Sequence, residues 1–353
     1  NSEIAELRSE LASSRSQIQE TAVQAEVAVS AIESLQSATP SSANKTHIGG
    51  YGELHYNQLS QANGGRKDQI DFHRFVLFFN HQFSDSLRLV SELELEHSIA
   101  GDGQPGEIEL EQAYLEWDYA PRQQAKLGLF LIPMGMLNET HEPETFYGVE
   151  RNNVEKNIIP TTWWEGGAML SGRWGEGFSY DAGVHSGLFL DPAADTYKVR
   201  SGRQKVGNAN ATDFAYTGRL RYTGMPGLSL SVSAQYQTDL LQGEFHADSG
   251  AADISATLIE GHFSWQRGDF GLKGLFAQWD IDSAINEIKP GADQQSGYYI
   301  EPSYQLNDKL GLFARYSAWD NLAGSSASDS VTVANISART RAIVLLTRNG
   351  PPV

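Results

Sequence analysis

From Lys45 onward, apolar and polar residues alternate with a period of two, and this alternation governs every other interpretation of the sequence. It is clearest in a predicted hairpin over 71–97, whose second half places on one face Leu87, Leu89, Ser91, Leu93 and Leu95. The opposite face holds Arg88, Val90, Glu92, Glu94 and Glu96. A strand of about ten residues with one apolar and one charged face has the length and pattern of a strand that crosses an outer membrane.

The same pattern recurs in thirteen candidate strands. They are 46–59, 69–83, 87–97, 107–119, 125–133, 162–174, 178–190, 212–223, 228–239, 253–266, 270–281, 297–306 and 309–320. The links alternate between short turns, such as 84–86 and 175–177, and long loops, such as 98–106 and 134–161. This asymmetry is typical of bacterial outer-membrane barrels. We therefore predict an all-β fold in which 46–330 form a transmembrane antiparallel β-barrel.

A soluble β-sandwich is the alternative fold, since it also has many short strands. Two features disfavour it. The candidate strands are about ten to thirteen residues long, whereas strands in soluble domains usually have about five or six. Aromatic residues also gather at strand ends, as in the interfacial girdles of membrane barrels. They include Trp117, Tyr119, Trp163, Trp164, Trp174, Phe178, Trp265, Phe270, Trp279, Tyr298 and Tyr299.

The N-terminal segment has a helical period instead. Glycine and proline are absent from 1–37, and a heptad register places at position a the residues Ile4, Leu11, Ile18, Ala25 and Ile32. Position d then holds Leu7, Ser14, Thr21, Ala28 and Leu35. This register predicts a coiled-coil helix that associates with copies of itself, and a solvated alanine-rich linker is the alternative. Pro40 and its neighbours predict a linker over 38–45.

Charge and composition exclude several classes of protein. Lys and Arg number 26 against 44 Asp and Glu, and a net charge of −18 repels nucleic acid. Cysteine is absent, which excludes disulfide scaffolds, zinc ribbons and thiol nucleophiles. No window holds the roughly 18 apolar residues of a spanning helix. The chain starts at Asn1 without a signal-peptide pattern, so we expect that a signal peptide has been removed or that the sequence is a fragment.

The link over 134–161 is the longest, and loops of this length are usually functional. Its apolar residues Phe146, Tyr147, Ile158 and Ile159 would let it pack inside a wide barrel and narrow the channel. Its charged residues are Glu139, Glu142, Glu144, Glu150, Glu155, Arg151 and Lys156. His141 lies among these acids, but no second histidine stands at ligand spacing. We therefore predict a solvated histidine and no metal.

The sequence predicts neither catalysis nor a cofactor. Serine, histidine and acidic residues are scattered along the chain without the local signature of a Ser-His-Asp hydrolase. We expect a protein that is not an enzyme.

A family resemblance rests on four short runs, which are Gly128-Leu129-Phe130, Pro133-Met134-Gly135, Phe146-Tyr147 and Glu150-Arg151. Together they resemble the third-loop region of bacterial porins, and most of all the phosphate-selective porin O and P family. The hairpin over 71–97 and the segment 163–167 are similar to that group too, so the resemblance covers roughly 46–320. It implies a trimeric channel of about sixteen strands, in which an inward-folded loop forms the constriction and Arg and Lys side chains guide anions.

The acidic residues of this chain depart from the family's pattern. The loop has more acids than bases, and the wall near it carries Glu92, Glu94 and Glu96, whereas rings of carboxylates favour cations. A basic strip opposite could be formed by Arg74, Arg88, Lys126, Arg173, Arg219 and Arg221. The sequence therefore leaves open whether the channel would prefer anions or cations.

The segment after residue 330 differs from the rest of the chain. A count of thirteen strands is odd, whereas single-chain bacterial barrels normally have an even number. From Val331 onward there are three arginines and no acidic residue. We interpret 331–353 as an atypical tail produced by truncation or a shift of reading frame, and expect poor membrane insertion of this chain because C-terminal strands are missing.

Taken together, the sequence predicts a homotrimeric porin in outer-membrane lipid, with its coiled coil in the periplasm. It would pass small hydrophilic solutes or ions, including anions such as phosphate. The residues expected to form the constriction and set selectivity are Glu139, Glu142, Glu144, Glu150, Arg151 and Lys156 in the loop, with Arg74, Arg88, Glu92 and Glu94 on the wall. The alternative is a structural or adhesive envelope protein whose barrel is plugged.

Overall fold

The computed structural model describes residues 45–60, 66–148, 151–191, 194, 196–244, 253–308, 310–324 and 330–340. The chain divides into two compact units, Asn1–Lys45 and Thr46–Val353. The predicted coiled coil over 1–37 and the linker up to residue 44 lie outside the described residues, as does 341–353 of the predicted tail. These three interpretations therefore stay predictions.

Fourteen strands are described in the second unit. They are β1 (Thr46–Ser60), β2 (Arg66–Ser84), β3 (Leu87–Glu96), β4 (Ile108–Ala120), β5 (Gln123–Leu131), β6 (Trp164–Trp174), β7 (Phe178–His185), β8 (Ala215–Tyr222), β9 (Leu228–Gln237), β10 (Ala256–Arg267), β11 (Phe270–Ile281), β12 (Gln294–Asn307), β13 (Leu310–Asp320) and β14 (Val331–Thr340). The helical elements among the described residues are short: α1 (Val154–Asn157) and 3-10 turns at Val199–Gly202 and Ser283–Glu287. Within the described ranges, no helix has both the length and the apolarity needed to cross a membrane.

Each strand pairs with the next along the chain, so that β1 to β14 form one antiparallel sheet in sequence order. Every one of the predicted strands is present, and the all-β prediction is confirmed. The sheet also runs beyond the predicted boundary at residue 330, because β14 pairs with β13 from Val331 opposite Trp319 to Thr340 opposite Leu310. The first part of the predicted tail is thus a strand. A barrel of about sixteen strands, as the resemblance implies, would need more strands than the described residues hold.

The two faces of the sheet differ in polarity, and the apolar face is the exposed one. Leu127 in the middle of β5 is 63% exposed and Phe75 on β2 is 46% exposed. Glu92 and Glu94 on β3 are only 1% and 2% exposed. A water-soluble sandwich buries its apolar face instead. An apolar outer face around a charged interior is the arrangement of a sheet surrounded by lipid.

The link over 134–161, hereafter the constriction loop, contacts strands that are far apart in the sheet. His141 contacts Glu111 on β4, and the main-chain oxygen of Tyr147 accepts a hydrogen bond from Arg315 on β13. In a flat sheet β4 and β13 would be about 43 Å apart, since neighbouring strands are spaced by about 4.8 Å. The six residues from His141 to Tyr147 would reach only about 20 Å even as a fully extended chain. The sheet must therefore curl around the loop.

Apolar side chains from the long loops fill part of the interior. The buried cluster includes Ile132, Met134, Val154, Ile158, Ile159, Trp163, Leu188, Leu190, Leu240, Trp279 and Ile285. The rings of Trp163 and Trp279 have their centroids 6.3 Å apart, which joins the segment just after the constriction loop to β11. Full burial of one large apolar side chain contributes about 1.5–3 kcal/mol. This cluster therefore holds the loops inside the curled sheet.

Candidate functional site

The base of the constriction loop is fastened by the side chain of Asn138, which is 4% exposed. Its Nδ2 donates hydrogen bonds to the main-chain oxygens of Ile132 and Trp163, each at 2.8 Å. Its Oδ1 accepts one from the main-chain N–H of Trp163 at 2.6 Å. These residues flank the loop, so one amide side chain holds the two ends together. The chain can turn back at Gly135 because that residue has a φ of +76°, where glycine is favoured.

The second half of the loop is attached to β11 and β12. Glu155 in α1 accepts hydrogen bonds from the main-chain N–H of Leu137 at 2.6 Å, from Asn152 at 3.0 Å and from the Tyr299 hydroxyl at 2.8 Å. Burial raises the pKa of Glu155 above its usual value, although these three donors act in the opposite direction. The indole N–H of Trp279 donates to the main-chain oxygen of Ile158 at 2.9 Å.

Glu139 joins the loop to β8. Its carboxylate contacts the guanidinium of Arg219 and lies 3.4 Å from that of Arg221. Burial alone would raise the pKa of Glu139, but the charge of Arg219 and the hydrogen bond it donates hold that pKa below its usual value. Arg219 also contacts Asp181 on β7 at 2.6 Å. The loop thus crosses the interior between widely separated parts of the sheet, as the resemblance implies for a constriction.

On the side of the long links, the loop and the wall enclose a cavity of about 330 Å³, hereafter the long-loop cavity. Its acidic lining residues are Glu53, Glu94, Glu96, Glu107, Glu109 and Glu111, and its basic ones are Arg74, Arg151, Lys156, Arg203 and Lys205. Several of these charges are paired: Arg74 lies 3.0 Å from Glu53 and 3.3 Å from Glu94. Acids and bases face each other across this cavity.

On the side of the short turns lies a second cavity of about 760 Å³, hereafter the turn-side cavity. Its charged lining residues are Arg88, Arg122, Arg173, Arg219, Arg221, Asp118 and Asp181. Arg122 comes from the turn between β4 and β5, and Arg173 lies near the end of β6. Neither of these two arginines forms an ion pair with another described residue. Arg88, Arg219 and Arg221 are paired with carboxylates, so the positive charge of this lining comes mainly from Arg122 and Arg173.

The structure brings some of the predicted site residues together and separates others. Arg74, Glu94, Arg151 and Lys156 line the long-loop cavity, whereas Arg88 lines the turn-side cavity and pairs with Glu116 and Asp118. Glu139 pairs with the arginines of β8, and Glu92 is buried behind the long-loop cavity. Glu142 and Glu144 belong to the loop but line neither cavity. Glu150 lies outside the described residues. The predicted basic strip is split, because Arg74 is on the opposite side from Arg173, Arg219 and Arg221.

The prediction of a solvated His141 is wrong, because this side chain is only 1% exposed. Its Nε2 lies 3.0 Å from Oε2 of Glu111 and 3.5 Å from Oε1 of Glu92, and its Nδ1 lies 3.2 Å from the main-chain oxygen of Asn138. Burial alone would lower the pKa of His141, but the two carboxylates raise it to about 10. The loop folds inward onto the wall, which the sequence around His141 could not show.

Several lining residues were missed from the sequence. Glu109 and Glu111 alternate with the apolar residues Ile108 and Leu110 on β4, so the inward face of that strand was a usable signal. Lys205 contacts Glu107 at 2.6 Å and also contacts Glu109, but it lies in a loop without periodicity. The position of that loop follows from packing alone.

No protein-family model matches the chain. A protein of Aquifex aeolicus (strain VF5) described as uncharacterized is 30% identical over 298 residues, which cover 78% of this chain and 66% of the relative. The chain thus spans just under two thirds of that relative's length. OmpF of Salmonella typhi, solved in complex with daunomycin, superposes with a TM-score of 0.57 at 12% identity over 83% of this chain and 85% of OmpF.

A weaker similarity links the chain to the outer membrane channel DcaP of Acinetobacter baumannii, with a TM-score of 0.44 at 12% identity over 84% of this chain and 97% of DcaP. The comparison with OmpF shows a shared porin fold. The narrower resemblance to the phosphate-selective group stays a prediction.

Proposed function

We propose that this chain forms a water-filled channel through a bacterial outer membrane, and that small hydrophilic solutes diffuse through it without a chemical step. The observation that carries the proposal is the inverted polarity of the sheet: Leu127 is exposed on the outer face, while Glu92 and Glu94 are buried inside. Lipid can cover the apolar face, and charged side chains can then line water in the interior. The OmpF-like fold supports this proposal. On this view the protein is not an enzyme and needs no cofactor.

The proposed channel prefers small anions such as phosphate. Support comes from the turn-side cavity, because its lining includes Arg122 and Arg173, which form no ion pair with another described residue. Guanidinium groups bind phosphate-like oxyanions well. The long-loop cavity, with acids and bases together, gives no comparable preference. Of the two selectivities that the sequence left open, we therefore favour anions.

The channel is proposed to be a homotrimer, because the family that the sequence resembles is trimeric and the predicted coiled coil over 1–37 would join three copies at the periplasmic side. A measurement of conductance in planar lipid bilayers tests both the channel and its trimeric state. Three equal conductance steps are the expected result for a trimer. A single step from inserted protein would contradict it.

Charge selectivity is tested by the reversal potential across a salt gradient. Arg122→Glu should move the reversal potential toward cation preference, because it inverts a charge that lines the turn-side cavity. Arg267→Glu is the matched control, since Arg267 also lies at a short turn but does not line that cavity. An equal shift in both variants would refute the role of the turn-side cavity.

The alternative is a structural or adhesive envelope protein, and the apolar cluster inside the sheet favours it. Trp163, Leu188, Leu240 and Trp279 are completely or almost completely buried, so loops occupy part of the interior. Folded, membrane-inserted protein that shows no conductance would support this alternative and refute the channel.

A further inference from the structure

Two carboxylates from the wall and one histidine from the constriction loop meet in the interior. Glu92 on β3, Glu111 on β4 and His141 are 1%, 2% and 1% exposed. One ligand atom from each lies within 4.8 Å of the others. The Nε2 atom of His141 is 3.0 Å from Oε2 of Glu111 and 3.5 Å from Oε1 of Glu92. Ligand atoms around a tetrahedral cation with bonds of about 2.0–2.1 Å are separated by about 3.3 Å. The two distances measured from the histidine fall on either side of that value.

One atom in this group lacks the hydrogen bond that its burial calls for. Oε1 of Glu92 is inaccessible to solvent and accepts no hydrogen bond. The other oxygen of the same carboxylate accepts one from Gln112 at 2.7 Å. A buried carboxylate oxygen without a donor is costly, because it has lost its water without replacement. A cation between Oε1 and Nε2 of His141 would satisfy it.

The surroundings of the histidine also suit a metal ligand. Nδ1 of His141 lies 3.2 Å from the main-chain oxygen of Asn138, to which it can donate its proton, so that in the neutral ring the lone pair of Nε2 would be available to a cation between the carboxylates. Metal-binding histidines are usually oriented by such a hydrogen bond from the other ring nitrogen. Gln112 holds the Glu92 carboxylate in the same way.

Charge balance favours a divalent cation. A histidine must lose its proton to bind a metal ion, and in that form of His141 the three groups carry two negative charges, which one divalent ion neutralises. A proton on His141 neutralises only one of them, so a metal ion and a proton would compete for Nε2. Glu111 and His141 line the long-loop cavity, which gives an ion a path to the site.

We propose that Glu92, Glu111 and His141 bind a divalent cation of the zinc type, which fixes the constriction loop to the wall of the sheet. One imidazole nitrogen and two carboxylate oxygens are ligands that Zn²⁺ accepts, and a water molecule from the cavity could supply the fourth. Calcium would demand six to eight oxygens. Binding of the ion does not require that the protein conduct solutes, so this proposal and the channel can fail independently.

The test is a zinc titration of the full chain in detergent, after removal of metals with a chelator. The partly exposed group Asp71, His73 and His97 could also bind zinc. All proteins compared therefore carry His97→Gln. In that background we expect one bound Zn²⁺ per chain, measured by equilibrium dialysis and elemental analysis. Absence of bound zinc in the background protein overturns the proposal.

Two variants each remove one proposed ligand: Glu92→Gln removes one from the wall of the sheet, and His141→Gln removes the one from the constriction loop. Each should weaken zinc binding by about tenfold or more. Their matched controls are Glu116→Gln, a buried carboxylate paired with Arg88, and His185→Gln, a buried histidine bonded to Thr217 at 2.8 Å. The controls should bind zinc as the background does. Equal binding in all variants, or an equal loss in variants and controls, overturns the site.

A second readout follows the loop itself. Zinc should slow hydrogen exchange of the amides in 138–145, because the ion ties His141 to two strands. His141→Gln should exchange at the same rate with and without zinc, whereas His185→Gln should still be slowed. Zinc that binds without protecting these amides would overturn the attachment of the loop.

Discussion

Asn138→Ala should release the base of the constriction loop. The side chain of Asn138 makes three hydrogen bonds to main-chain groups of Ile132 and Trp163, on the two sides of the loop. Alanine removes all three at once. The two carbonyls keep other donors, since Met134 donates to Ile132 and Ile132 donates to Trp163. The main-chain N–H of Trp163 loses its partner, and Trp163 is 0% exposed.

The expected magnitude follows from these contacts. A buried donor left without a partner costs about 1–3 kcal/mol, and each lost hydrogen bond to a carbonyl costs about 0.5–1.5 kcal/mol. Together these terms give about 2–6 kcal/mol, so we take about 4 kcal/mol as the central value for the whole substitution. Since about 1.4 kcal/mol corresponds to a factor of ten, the equilibrium constant for opening of the loop base should rise by about 700-fold.

Hydrogen exchange measured by mass spectrometry tests this value at the amide of Ile132. That amide donates to Trp163 at 2.8 Å, and the substitution does not touch this bond, so its exchange reports opening of the base. Asn153→Ala is the matched control, because Asn153 precedes α1 and its side chain makes no capping hydrogen bond. Equal exchange at Ile132 in the two variants would refute the role of Asn138 as the fastening residue.

Three further predictions concern a buried acid, a turn and the outer face. The pKa of Glu155 is raised above 4.5, so its protonated form stabilises the loop fully below pH 4.5, and this contribution is lost as the pH rises through the raised pKa. Glu155→Gln should abolish this pH dependence, measured as hydrogen exchange of the loop amides. Gly135→Ala should loosen the loop more than Gly103→Ala, because a Cβ at 135 would lie 2.6 Å from Glu155 and one at 103 contacts nothing. Leu127→Arg in mid-strand should cost about 2–4 kcal/mol of unfolding free energy in lipid vesicles, and Phe178→Arg at a strand end about 0–1 kcal/mol. Similar costs at both positions would contradict a surrounding bilayer.

The strands could be predicted because their signal is local. Alternation places Leu93 and Glu94 on opposite faces whatever the partner strand is, and a turn such as 84–86 ends one strand and begins the next. The polarity of each face was therefore available from neighbouring residues alone. β14 was harder to predict, since 331–340 lacks the acidic residues of the rest of the chain and the preceding count of strands had already ended at residue 320.

The candidate site depends on residues that are distant in sequence. Glu139 meets Arg219, which follows it by 80 positions, and His141 meets Glu111, which precedes it by 30. The composition of the loop alone predicted an acidic constriction. In the structure Glu139 pairs with arginines and Glu155 is buried against Tyr299, and neither carboxylate lines the long-loop cavity or the turn-side cavity.

The sequence by itself determined the all-β fold, the order of the strands and which face of each strand is apolar, because those properties follow from a repeat of two residues and from turn chemistry. Only the tertiary structure decided that His141 is buried between two carboxylates and that the arginines gather on the side of the short turns. The physical reason is that the path of a long loop is set by packing against distant strands. The net charge that lines a cavity then depends on which acidic and basic side chains this packing brings into pairs.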